Sequence, residues 1–116
     1  MPILDEDICV DACEQCECLI HKGTTLHGIL DHRQVVSTGE DYQSAIRVKF
    51  VARKDAGTVR PLGTLNLHGI KSALKGVPRI MMKIEVTADG DVLAEVCDLE
   101  SGSSEQAILG AVAVRN

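Results

Sequence analysis

Aromatic side chains are almost missing: the 116 residues include one Phe, one Tyr and no Trp. A base-stacking surface needs aromatic faces, so binding of single-stranded nucleic acid is not expected. Positive charge is also short. The formal net charge of −5 opposes contact with a phosphate backbone. No apolar run is long enough to cross a bilayer as a helix, so no membrane partner is expected. The start, "MPILDEDICVD", is acidic and lacks the basic region of a secretory signal. A reducing, cytoplasmic setting is the default expectation, with an organelle left open because a removed targeting segment leaves no trace. Catalytic motifs are missing as well: there is no nucleophile elbow, phosphate-binding glycine loop or zinc-hydrolase signature. Ser37, Thr38 and Ser44 have no histidine at a telling spacing, and Glu40 and Asp41, being adjacent, would face opposite ways on a strand. No enzymatic activity and no catalytic residue is expected.

What is present describes one domain with an aliphatic core. The length suits a single domain that buries roughly two-thirds of its unfolded surface, and 45% of the residues are hydrophobic. Short alternating segments dominate: "ICV", "CECLI", "RQVVST", "SAIRVKFVA", "LGTLNLHGI", "RIMMKIEVT" and "DVLAEVCDL". In "AIRVKFVA", Ile46, Val48 and Phe50 fall on one face and Arg47 and Lys49 on the other, the period of a half-buried strand. Leu65 and Leu67 alternate with polar neighbours, as do Ile80, Met82, Ile84 and Val86. Asp89-Gly90 marks a hairpin, and Gly102 in "DLESGSSEQ" marks another turn. "RKDAGTVRP" reads as a polar link ending at Pro61. "GIKSALKGVP" is ambiguous, with one helical turn conceivable over residues 71–75 between breakers. "QAILGAVAVRN" reads better as a strand interrupted at Gly110 than as a helix, because Val112 and Val114 are β-branched. Together these predict an all-β, antiparallel sandwich or barrel.

The five cysteines, Cys9, Cys13, Cys16, Cys18 and Cys97, cluster towards the N-terminus as "CEQCEC". Converging thiolates bind zinc or iron–sulfur clusters, so a metal or redox module centred on Cys9, Cys13, Cys16 and Cys18 is an alternative reading. A second ligand pair is missing. Cys16 and Cys18 read more simply as small apolar residues on one strand face, so no metal ligand is assigned. The odd count argues against a disulfide framework. His21, His27 and His32 fall close together in sequence and, with Asp31, are a weaker metal candidate than a solvated loop.

The stretch "VVSTGEDYQSAI" carries a resemblance. Its Val35, Ser37, Thr38, Asp41, Gln43 and Ile46 fit a phrase of the seventy-kilodalton heat-shock chaperones, the DnaK-type family, within that family's peptide-binding β-domain. Further pieces follow in family order: "KGTTL", "LGTLNLHGI", "KGVPRI", "IEVTADGDV" and "CDLESGSSEQ". The resemblance implies a β-sandwich of about eight strands over residues 8–116, without the family's helical lid. Residues 1–7 would be a remnant of the interdomain linker, whose end their "ILD" at Ile3–Asp5 resembles.

By the same resemblance, the chain would hold extended, apolar-centred segments of unfolded polypeptide in a groove between loops. Backbone hydrogen bonds and one apolar pocket would make the grip. Val36, Ile46, Val48 and Ile80 match the pocket lining. Ser37, Thr38 and Gln43 match groove residues that hydrogen-bond peptide, and Gly39 matches half of an arch over it. Val10 and Ala12 are the nearest equivalents on the opposite wall. No cofactor is expected in this chain. ATP, its hydrolysis and J-domain co-chaperones would belong to a nucleotide-binding domain of a full-length protein. The departures from the family are specific. Val36 stands where Phe is usual, which implies a wider pocket. Gly39 replaces a small apolar residue, and "ICVDACEQCECLI" is a shortened first wall. A divergent sandwich that serves as an interaction surface without a working groove is therefore the other alternative.

Overall fold

In the computed structural model, which describes residues 2–12, 15–55 and 57–116 (backbone only at Ala12, Gln15 and Cys16), every regular element is a strand. The strands are β1 (Ile3–Leu4), β2 (Asp7–Ala12), β3 (Gln15–Ile20), β4 (Leu30–Val36), β5 (Ala45–Asp55), β6 (Thr58–His68), β7 (Ile80–Val86), β8 (Val92–Asp98), β9 (Ser104–Ile108) and β10 (Val114–Arg115). All pairings are antiparallel. They form two four-stranded sheets, ordered β3-β2-β5-β6 and β4-β7-β8-β9, and a small β1-β10 pair. The expected all-β sandwich is present, with the two-residue pair β1-β10 added to its eight longer strands.

Alternation in the sequence becomes burial in the fold. Along β7 and β8, every second side chain is buried and the rest are half-buried. Ile80, Met82, Ile84 and Val86 thus meet Val92, Ala94 and Val96 in one core. From the other sheet come Ile8, Val10, Val48, Phe50, Leu65 and Leu67. Burying each large aliphatic side chain contributes about 1.5–3 kcal/mol over leaving it in water. With so few aromatics, the single Phe50 is the largest fully buried side chain.

Three segments differ from the sequence reading. "RKDAGTVRP" is not a link: β5 runs on to Asp55 and β6 begins at Thr58, so Pro61 lies within a strand. Pro61 is tolerated because β6 is an edge strand and a register shift at Phe50/Val51 falls beside it, the two settings in which proline costs a ladder little. Residues 69–79 form no helical turn. Their amides bond other segments instead: Ile70 N–H donates to the Ser44 carbonyl (3.1 Å) and Lys71 N–H to the Asp98 carboxylate (2.9 Å). The last segment is strand as expected, but split into β9 and β10 around residues 109–113.

The segment expected as a linker remnant packs into the fold. Leu4 is fully buried, and β1 pairs with β10. Glu6 is also buried. Its carboxylate accepts from Arg60 (2.5 and 3.2 Å) and from the Ala113 amide (2.7 Å).

Candidate functional site

Residues 37–44, between β4 and β5, are the polar stretch singled out in the sequence, and the segment between β6 and β7 braces them. The Ser37 hydroxyl donates to the Pro78 carbonyl (2.6 Å). The Gly76 amide donates to the Thr38 carbonyl (3.2 Å), and the Tyr42 amide to the Ala73 carbonyl (2.8 Å). The Lys75 amide donates to the Asp41 carboxylate (3.0 Å). Gln43 folds back on its own loop, accepting from the Gly39 amide (3.2 Å) and donating to the Ala45 carbonyl (2.7 Å). Tyr42 sits at φ +57°, a left-handed conformation uncommon for a residue with a side chain and one that concentrates at functional sites. Its ring is exposed.

Where this loop meets the β2–β3 hairpin, a cavity of about 130 Å³ opens. Its apolar walls are Val10, Val36, Ile46, Val48 and Met82, and Asp11, Glu17, Ser37 and Arg47 complete it. Each wall side chain is placed by strand period. Val10 belongs to the inward face of β2, Ile46 and Val48 to that of β5, and Val36 is half-buried at the end of β4. Gln34 on β4 donates to Glu17 on β3 (3.2 Å), a direct link between the two sheets beside the cavity. An apolar cavity of about 150 Å³ admits a group the size of benzene, so this one suits a single branched aliphatic side chain.

The structure thus gathers Val10, Val36, Ser37, Ile46 and Val48 from the expected residues. Gly39 and Gln43 lie in the adjoining loop. The side chain of Ala12 is outside the described residues. Ile80 is fully buried and is not part of the lining. Met82, two residues along the same face of β7, lines the cavity instead. Period alone could not distinguish the two. Asp11, Glu17 and Arg47 were also not foreseen, since they read as ordinary solvent-facing strand residues. Thr38 is buried, and its hydroxyl oxygen has no hydrogen-bond partner. A wider depression of about 430 Å³, lined by Glu85, Thr87, Asp91, Val92, Leu93 and Ile108, gathers none of the expected residues.

Asp98 supports the site from behind. It is fully buried and accepts from the Lys71 amide (2.9 Å), the Glu100 amide (3.0 Å) and the Ser101 hydroxyl (2.9 Å). Burial pushes its carboxyl up, but these donors outweigh burial and hold it below its ordinary 3.8. The carboxylate therefore pins the start of the 69–79 segment, whose later residues brace the 37–44 loop.

Of the four cysteines in the alternative reading, the structure describes the side chains of Cys9, which is buried, and Cys18, which is half-buried. Cys13 lies outside the described residues, as does the side chain of Cys16. His27, His32 and Asp31 form no convergent ligand group among the described residues.

A family model described as Hsp70 protein matches residues 11–111, most of the chain.

Proposed function

The chain belongs to the Hsp70 protein family, and on that premise we propose that it is a chaperone substrate-binding module that holds extended, apolar-centred segments of unfolded polypeptide. The observation that carries this reading is the cavity between the β2–β3 hairpin and the 37–44 loop, walled by Val10, Val36, Ile46, Val48 and Met82. In this reading one aliphatic side chain of the peptide fills the cavity, and the peptide backbone runs across the loops. Main-chain hydrogen bonds ignore sequence, while the cavity asks only for an apolar centre. The Thr38 hydroxyl is buried and unpartnered, and Thr38 is not among the residues that line the cavity. Ser37 and Gln43, already bonded within the loops, shape the wall and exchange partners only at a cost. No chemistry is assigned to this chain. ATP and J-domain co-chaperones would act through a nucleotide-binding domain.

The test is a fluorescence-polarisation titration with a labelled seven-residue peptide, leucine at its centre and basic residues at its flanks. The control is Ile46→Asp, which sets a charge in the half-buried wall of the cavity, with its fold checked by circular dichroism. The expected result is micromolar binding, on the order of −8 kcal/mol, lost in the variant. A folded parent chain that binds no such peptide would overturn the reading and leave the sandwich as an interaction surface of another kind.

A further inference from the structure

At the end of the β2–β3 pair where Asp7 opens β2 and Ile20 closes β3, three different ligand types converge. Asp7 opens β2, Cys18 lies on β3, and His21 follows β3 directly. One carboxylate oxygen, the thiol sulfur and a ring nitrogen all lie within 4.8 Å of one another. Cys18 Sγ is 3.3 Å from His21 Nδ1. In a tetrahedral zinc site, bonds of about 2.3 Å to sulfur and about 2.0–2.1 Å to nitrogen place those two atoms roughly 3.6 Å apart. The pair is therefore within a few tenths of an ångström of the required spacing. Asp7 is held in place by groups behind it: Oδ1 accepts from the Lys22 amide (2.6 Å) and Oδ2 from Arg53 (3.1 and 3.2 Å). Such outer partners orient a ligating carboxylate. Cys9, paired with Cys18 in the strand register, is buried and is not a member of this convergent group.

We propose that Asp7, Cys18 and His21 form a zinc site on this strand pair, with water completing the coordination. A mixed sulfur, nitrogen and oxygen set favours zinc over magnesium or calcium, which prefer all-oxygen shells. Zinc takes the thiolate, so binding releases the Cys18 proton to solvent. The ion would tie β2 to the end of β3 at the foot of the hairpin whose opposite end borders the apolar cavity. The site shares no residue with that cavity, so it stands or falls independently of peptide binding.

The test uses the whole chain, reduced and stripped with a chelator, then titrated with zinc against a chromogenic zinc indicator. The expected result is one zinc per chain, at least tenfold weaker in Cys18→Ser and in His21→Ala, and unchanged in the double variant Cys13→Ser/Cys16→Ser. His21 is exposed, so His21→Ala keeps the test decisive even if Cys18→Ser perturbs packing. Cobalt in place of zinc is expected to show a thiolate charge-transfer band that His21→Ala alters. Failure to bind one equivalent would overturn the proposal. So would binding that survives His21→Ala but disappears with Cys13 and Cys16, because "CEQCEC" would then be chelating on its own.

Discussion

Asp98 is fully buried and yet held in its ionised form by the Lys71 and Glu100 amides and the Ser101 hydroxyl. Its folded pKa lies below the ordinary 3.8. The stability it contributes is thus fully present above that ordinary value and is lost as pH falls through the folded one. Replacing it with Asn removes the charge and turns an amide NH₂ towards donors. The expected cost for Asp98→Asn at neutral pH is about 2–3 kcal/mol, measured by urea unfolding. Acid sensitivity is the sharper readout. Below about pH 4 the parent chain should lose stability more steeply than Asp98→Asn, because the variant has no proton to gain at this position. Parallel slopes would show that Asp98 contributes no ionisation-linked stability. Glu6, held low by Arg60 and the Ala113 amide against the upward push of burial, adds its own acid loss in both proteins and does not blur the comparison.

At the scale of elements, the strands were legible and the contacts between loops were not. Ile46, Val48 and Phe50 alternate with Arg47 and Lys49, and the fold buries Val48 and Phe50, half-buries Ile46 and exposes the two cations. Pro61 misled because its meaning depends on whether a strand is an edge, which only the sheet order reveals. The 37–44 loop was conspicuous in the sequence. Its braces were not, since Ser37 reaches Pro78 and Lys75 reaches Asp41 across long separations. The turn between β7 and β8 combines both cases. Asp89-Gly90 announced the hairpin, and Gly90 takes φ +91°. The unannounced part is that Val112 docks there, its amide donating to the Gly90 carbonyl (2.9 Å). A Cβ at position 90 would collide with the Val112 carbonyl. Gly90→Ala is therefore expected to cost more than the about 1 kcal/mol of an ordinary left-handed glycine. The predicted loss is about 2–4 kcal/mol, with faster hydrogen exchange at Val112 and at Leu109, whose amide bonds Val92 next to the turn. A cost below about 1 kcal/mol with unchanged exchange would mean that the C-terminal segment adjusts without leaving the turn.

Over the whole molecule, the apolar pattern determined the sandwich, while charge bears on what approaches it. The candidate cavity could be located from the 37–44 phrase and the alternation of β5. Met82 in place of Ile80 could not, because both point inward from β7 and only the three-dimensional offset of the sheets decides which one borders the loops. The same holds for Asp11 and Glu17. They read as solvated strand residues, but they flank the cavity together with Arg47, and Asp11 pairs with Lys49 (4.0 Å). With a formal charge of −5 over the chain, the field of the whole molecule favours a cationic approach. A peptide with basic flanks should therefore bind faster and more tightly than its neutral-flanked twin at low salt, an effect carried mainly by the association rate. Screening shortens from about 10 Å at 0.1 M to about 3 Å at 1 M. Raising ionic strength from about 0.05 M to about 0.5 M should therefore weaken the basic peptide several-fold and leave the neutral one within about twofold. The neutral peptide then isolates the apolar grip, since burial of its leucine does not depend on counter-ions. Equal salt dependence for both peptides would place the charge effect outside the groove. If the basic peptide alone bound, and only at low salt, the acidic surface would be attracting it without any contribution from the cavity.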